Sequence, residues 1–161
     1  MIKEVLPHIE KCKEEIEEIE AWINKIPTDP KVRYLTNYAL IKSYGTIESI
    51  YKAIMSARFD KYETQIKNYM TSTMEKSASP NYQKLCKTLK SFDEDWETDF
   101  KARIDKSNDG LKLITSINSL IQNRHSFAHG AETSISLKDI KSYYEDSIIV
   151  LDIFGDVLFQ Q

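Results

Sequence analysis

Apolar residues recur every three or four positions from the beginning of the chain. Ile2, Val5, Ile9, Cys12, Ile16, Ile19, Ile23 and Ile26 are separated by Lys and Glu, which is the period of one face of a helix. Pro7 places the regular part near itself, because proline fits a first turn and disrupts an interior. Pro27-Thr28-Asp29-Pro30 then ends the helix. A second helix is predicted from Lys31, with Tyr34, Leu35, Tyr38, Ile41, Tyr44, Ile47, Tyr51, Ile54 and Met55 on one broad face. Gly45 interrupts this face without ending it. Two readings of that glycine stay open, a close approach by another helix or a position of no consequence.

Residues 60–75 read as helical, Ser77-Ala78-Ser79-Pro80 as a loop, and residues 82–104 as shorter, more polar helices. Asn108-Asp109-Gly110 is a turn signal. Beyond it Leu113, Ile114, Ile117, Leu120, Ile121 and Ala128 mark a core-facing helix. A last helix is expected from Ser136, where Ser136 and Asp139 form a capping box, with Ile140, Tyr143, Tyr144, Ile148, Leu151, Ile153, Phe154 and Leu158 as its apolar surface. The pattern predicts an all-α protein.

Composition narrows the picture. With 161 residues the chain is expected to form one domain over 1–161, and four Gly and four Pro leave little material for turn-rich β structure. No apolar run approaches the roughly 18 residues of a membrane span, and the first residues lack a signal peptide's apolar segment, so a cytoplasmic protein without membrane contact is expected. Cys12 and Cys86 stand apart without a CxxC motif and read as core-side thiols. A net charge of -3 gives no global attraction for nucleic acid, so an RNA partner needs a local basic surface. Lys84, Lys87 and Lys90 at helical spacing are candidates for it, although Asp93, Glu94, Asp95, Glu97 and Asp99 nearby favour a solvated, ion-paired face.

The chemistry concentrates in Asn123-Arg124-His125-Ser126-Phe127-Ala128-His129-Gly130, which holds two of the three histidines. The apolar spacing puts Arg124 on the inner side of its helix, where a guanidinium needs anionic or carbonyl partners. Arg124 and His129 are five residues apart, about 140° around a regular helix, so they converge only if the helix ends between them. Gly130, adopting positive φ as a C-cap, supplies that end. Guanidinium suits phosphate oxygens and imidazole titrates near neutrality. Together they fit RNA cleavage without a metal, histidine moving protons at the 2′-hydroxyl or the departing 5′-oxygen and arginine stabilising the pentavalent phosphate.

This stretch resembles the R-x4-6-H motif of the HEPN superfamily, in the form seen in RiboL-PSP-type members. The placement is similar too: a core helix precedes the motif and one long helix follows, and Tyr44-Gly45-Thr46-Ile47-Glu48 resembles the family's early small-residue-and-acid run. The resemblance implies a HEPN-like bundle of long antiparallel helices and a metal-independent endoribonuclease, commonly a toxin or anti-phage effector, active as a homodimer with facing motifs. Arg124 and His129 would be catalytic, with Asn123, His125, Ser126 and Glu48 in support, no cofactor, and RNA or an antitoxin as partner. His125 stands where Asn or Asp is common and keeps the position polar. Ala131 stands where members modified by a nucleotidyltransferase carry tyrosine, which speaks against that regulation. A symmetric dimer would also supply the second proton-transfer group that a lone Arg-His pair lacks.

Rival readings of the same residues are a helix terminus with Arg124 paired to a buried acid such as Glu48, a non-catalytic HEPN-like module for dimerisation or RNA or protein binding, and a zinc site from His125, His129 and Glu132. The last lacks the glutamate of an HExxH motif, replaced here by Ser126.

Overall fold

The computed structural model describes residues 5–60, 62–75 and 79–160; Ile2 and the first two residues of the expected 77–80 loop lie outside them. Seven helices appear among the described residues: α1 Leu6–Lys25, α2 Lys31–Phe59, α3 Thr64–Glu75, α4 Tyr82–Phe92, α5 Glu94–Lys106, α6 Gly110–Ala128 and α7 Leu137–Phe159. Local chemistry explains the boundaries. Pro7 sits in the first turn of α1, Asn81 caps α4 by accepting from the Lys84 N–H at 2.8 Å, and Asp93 caps α5. Ser136 and Asp139 form the expected capping box at α7.

Pairings give the directions. Glu15 of α1 accepts from Tyr38 and Lys42 of α2 across a short connection, so these helices run antiparallel. Lys112 and Ser116 of α6 meet Asp146 of α7 in the same way. Tyr51 faces Phe154, and Ile54 lies 3.7 Å from where a Cβ on Gly155 would stand, so α2 and α7 advance together. The close helix approach that the sequence allowed for Gly45 therefore occurs at Gly155; nothing lies within 4 Å of a Cβ added at Gly45.

One apolar cluster joins the helices, with Tyr51, Tyr144, Phe59, Phe100 and Phe154 among its largest buried members. Cys12 and Cys86 are buried free thiols within it. The broad face expected of α2 is corrected: Tyr34, Tyr38 and Ile41 are 72%, 49% and 48% exposed, while Thr36, Ala39, Leu40 and Ser43 are buried. Nine apolar residues wrap too far around a helix for all to face one core, and small side chains on the inner side let α7 and α6 come close. No helix among the described residues is long and apolar enough to cross a membrane.

Candidate functional site at the end of α6

Helix α6 ends in a Schellman motif. The Gly130 N–H donates to the Phe127 carbonyl and the Ala131 N–H to the Ser126 carbonyl, both at 3.0 Å, with Gly130 at φ +83°. This is the 5→2 and 6→1 pair that closes a helix on a left-handed residue. His129 becomes the C-cap, its N–H reaching back to His125 and Ser126.

The termination leaves His125 and His129 exposed and one turn apart. Their rings meet nearly edge to face with centroids 4.4 Å apart. Two imidazoles thus share one small patch, each able to accept or donate a proton. No described hydrogen bond, ion pair or ring contact joins Arg124 to either of them.

Arg124 differs from expectation. It is half-buried, and its guanidinium lies over the Tyr44 ring, 4.6 Å from the centroid. Among the described residues no carboxylate stands within ion-pair distance of it. The buried side chain of Tyr44 is held in turn by its hydroxyl, 3.2 Å from the Ser79 hydroxyl. A cation over an aromatic face keeps its N–H groups free to turn outward, which an ion pair would not. Tyr44, which the sequence placed on the apolar face of α2 and in the run ending at Glu48 that resembles the family's early motif, is the ring beneath Arg124, a contact that sequence reasoning did not assign.

Glu48, expected to orient Arg124 or a histidine, pairs instead with Lys52 at 2.6 Å. Asn123 turns back on its own helix, donating to the Ser119 carbonyl at 2.8 Å, and Ser126 contributes through its backbone. Ala128, expected to face the core, is exposed; the larger Phe127 packs there. Glu132, weighed as a third metal ligand, binds Arg33 at 2.9 Å. Among the described residues no three His, Cys, Asp or Glu are grouped to hold a metal ion.

The lysine row on α4 is split by its surroundings. Lys84 is half-buried beside a small cavity of about 160 Å³ under α3, Lys87 is exposed, and Lys90 lies near Glu94 and Glu97 at 3.5 and 4.0 Å. The Tyr82 N–H donates to Asn118 of α6 at 3.1 Å, tying the start of α4 to the helix that carries the motif.

Comparison with curated proteins and with solved structures finds no match. The family model RiboL-PSP-HEPN matches residues 8–160, nearly the whole chain, and the helical bundle with its motif at the end of α6 accords with it: the chain belongs to the RiboL-PSP-HEPN family of the HEPN superfamily.

Proposed function

We propose that residues 1–161 act as one domain, in the cytoplasm, as a metal-independent endoribonuclease that works as a toxin or anti-phage effector. The observation that carries this reading is the exposed His125-His129 pair at a helix end, one and five residues from Arg124. One imidazole takes the proton from a ribose 2′-hydroxyl, the freed oxygen attacks the adjacent phosphorus, and the P–O5′ bond breaks. A protonated imidazole gives its proton to the departing 5′-oxygen, leaving a 2′,3′-cyclic phosphate and a 5′-hydroxyl. Arg124, rotating off Tyr44, meets the charge that builds on the phosphoryl oxygens. Two copies with facing motifs complete the cleft, and an antitoxin would act by covering it.

The position of Arg124 favours a second reading. A guanidinium resting on Tyr44 without contact to His129 also suits a HEPN module that binds RNA or protein without cutting. The discriminating experiment is incubation of purified protein with mixed RNA in EDTA, followed by analysis of the ends. Cyclic phosphates formed by the wild type and absent with folded His129→Ala support the nuclease. A folded His129→Ala protein that cuts at the wild-type rate refutes it.

A further inference from the structure

The segment that leaves the motif does not return directly to the bundle. Thr133 donates to the Asn37 side chain at 2.9 Å and Glu132 pairs with Arg33, so the chain between Gly130 and α7 lies along the first turns of α2. Between them runs an open groove of about 700 Å³, lined by Arg33, Tyr34, Asn37, Thr133, Ser134 and Ile135 among others. Its volume is in the range of sites for small organic groups. Thr133 is four residues from His129, so the groove starts at most about 15 Å of chain from the candidate catalytic imidazole.

Tyr34 stands at the mouth with 72% of its surface exposed. It also lines a second groove beside Trp22 and Lys31, so two aromatic rings and two cations, Lys31 and Arg33, share this surface. An exposed aromatic next to cations fits an unpaired nucleic-acid base and its phosphate. Among the described residues Arg33 is held only by an ion pair between two well-exposed side chains, which a phosphate can displace. Asn37, Thr133 and Ser134 offer donors and acceptors to a base edge, whereas Asp29 is occupied by the Lys31 N–H at 2.7 Å.

We infer that the groove between the start of α2 and residues 131–137 is a subsite for single-stranded RNA, where Tyr34 stacks an unpaired base and Arg33 meets a phosphate. The identification of the strand as RNA rests on the nuclease reading. The subsite holds the strand beside the motif and gives the enzyme a preference for unpaired over duplex RNA, because a stacked base must first leave its partner.

The test uses the full chain and a fluorescein-labelled, mixed-sequence single strand whose 2′-hydroxyls are methylated, followed by anisotropy. Tyr34→Ala should bind about tenfold more weakly, since base stacking on an aromatic is of that order. Tyr34→Phe should bind as the wild type, because the ring does the stacking. Arg33→Gln should weaken binding and lower the salt slope by about one phosphate contact. Tyr69→Ala, an exposed tyrosine on α3 away from the groove, controls for general surface effects. Unchanged affinity in Tyr34→Ala overturns the subsite, as does equal competition by a duplex of the same sequence. With cleavable RNA the Tyr34→Ala loss should appear in KM. If cyclic phosphates form but that KM is unaltered, the subsite falls and the nuclease stands. If the binding pattern holds while no RNA is cut, the nuclease falls and the subsite stands.

Discussion

Alanine at Gly130 and alanine at Gly45 are the same chemical change with opposite expected signs. At Gly130 φ is +83° and an added Cβ meets nothing within 4 Å, so the cost is the backbone's alone. Holding an L-residue in the left-handed region costs about 1–2 kcal/mol, and the two Schellman bonds at 3.0 Å tie the chain to that conformation. At Gly45 the backbone is helical and the space is again open, so alanine should stabilise by about 0.5–1 kcal/mol through the unfolded chain. For a chain of this length that is a fall in Tm of roughly 2–8 °C in Gly130→Ala and a rise of roughly 1–4 °C in Gly45→Ala. Gly130→Asn should fall between, since asparagine tolerates the left-handed region. Thermal and urea unfolding followed by circular dichroism, at one fixed protein concentration, measures all three. A Gly130→Ala protein as stable as the wild type would show that residue 130 relaxes to negative φ, and the account of how His129 is placed would fail. If that account and the proposed nuclease function both hold, Gly130→Ala should also cut RNA more slowly than its stability loss explains.

Three further outcomes follow from particular contacts. Arg124→Ala should cost about 1–2 kcal/mol, the value of a half-buried cation over the buried Tyr44 ring; a loss beyond roughly 3 kcal/mol in urea unfolding would instead reveal a stranded buried acid. Ser116→Ala should destabilise by about 1–3 kcal/mol, because its hydroxyl donates at 2.6 Å to the buried Asp146 carboxylate, which among the described residues otherwise keeps only Lys112; a neutral result in the same assay would mean that Asp146 finds other solvation. Burial pushes the Tyr51 and Tyr144 hydroxyls up, and that of Tyr82 to about 12. The folded state then holds protons that the unfolded chain has released above about pH 10, so stability should fall as pH rises past that point. Tyrosinate absorbance should show Tyr51 and Tyr144, two of the nine tyrosines, ionising only as the helices melt, and their titration in the folded protein would contradict the burial.

Much of this molecule is decided locally, and such features were legible in the sequence. Pro7, Ser136 with Asp139, and Gly130 act on backbone groups within a few residues, so the start of α1, the capping box of α7 and the left-handed end of α6 could be read without knowing the neighbours. The three-to-four spacing of isoleucines and leucines marked the buried faces of α1 and α6, because one side of those helices is apolar and the other is polar, charged in α1 and mostly hydroxyl and amide in α6. The motif that resembles the HEPN family was visible for the same reason, being eight consecutive residues.

Tertiary packing decided what periodicity could not separate. Apolar residues nearly encircle α2, so only the seating of α6 and α7 selected Tyr44 and Ile47 for the core and left Tyr34, Tyr38 and Ile41 in water. The neighbour of Arg124 is likewise a matter of which helix lies across α6. The sequence offered Glu48 as an acid for it, but Glu48 had Lys52 one turn away on its own helix, while the Tyr44 ring stood under the guanidinium. Gly45 and Gly155 are equivalent in a one-dimensional reading, and only the crossing of α2 and α7 at Ile54 distinguishes them. The groove at Tyr34 lies between residues a hundred positions apart, where a preference carried by neighbouring residues has no reach.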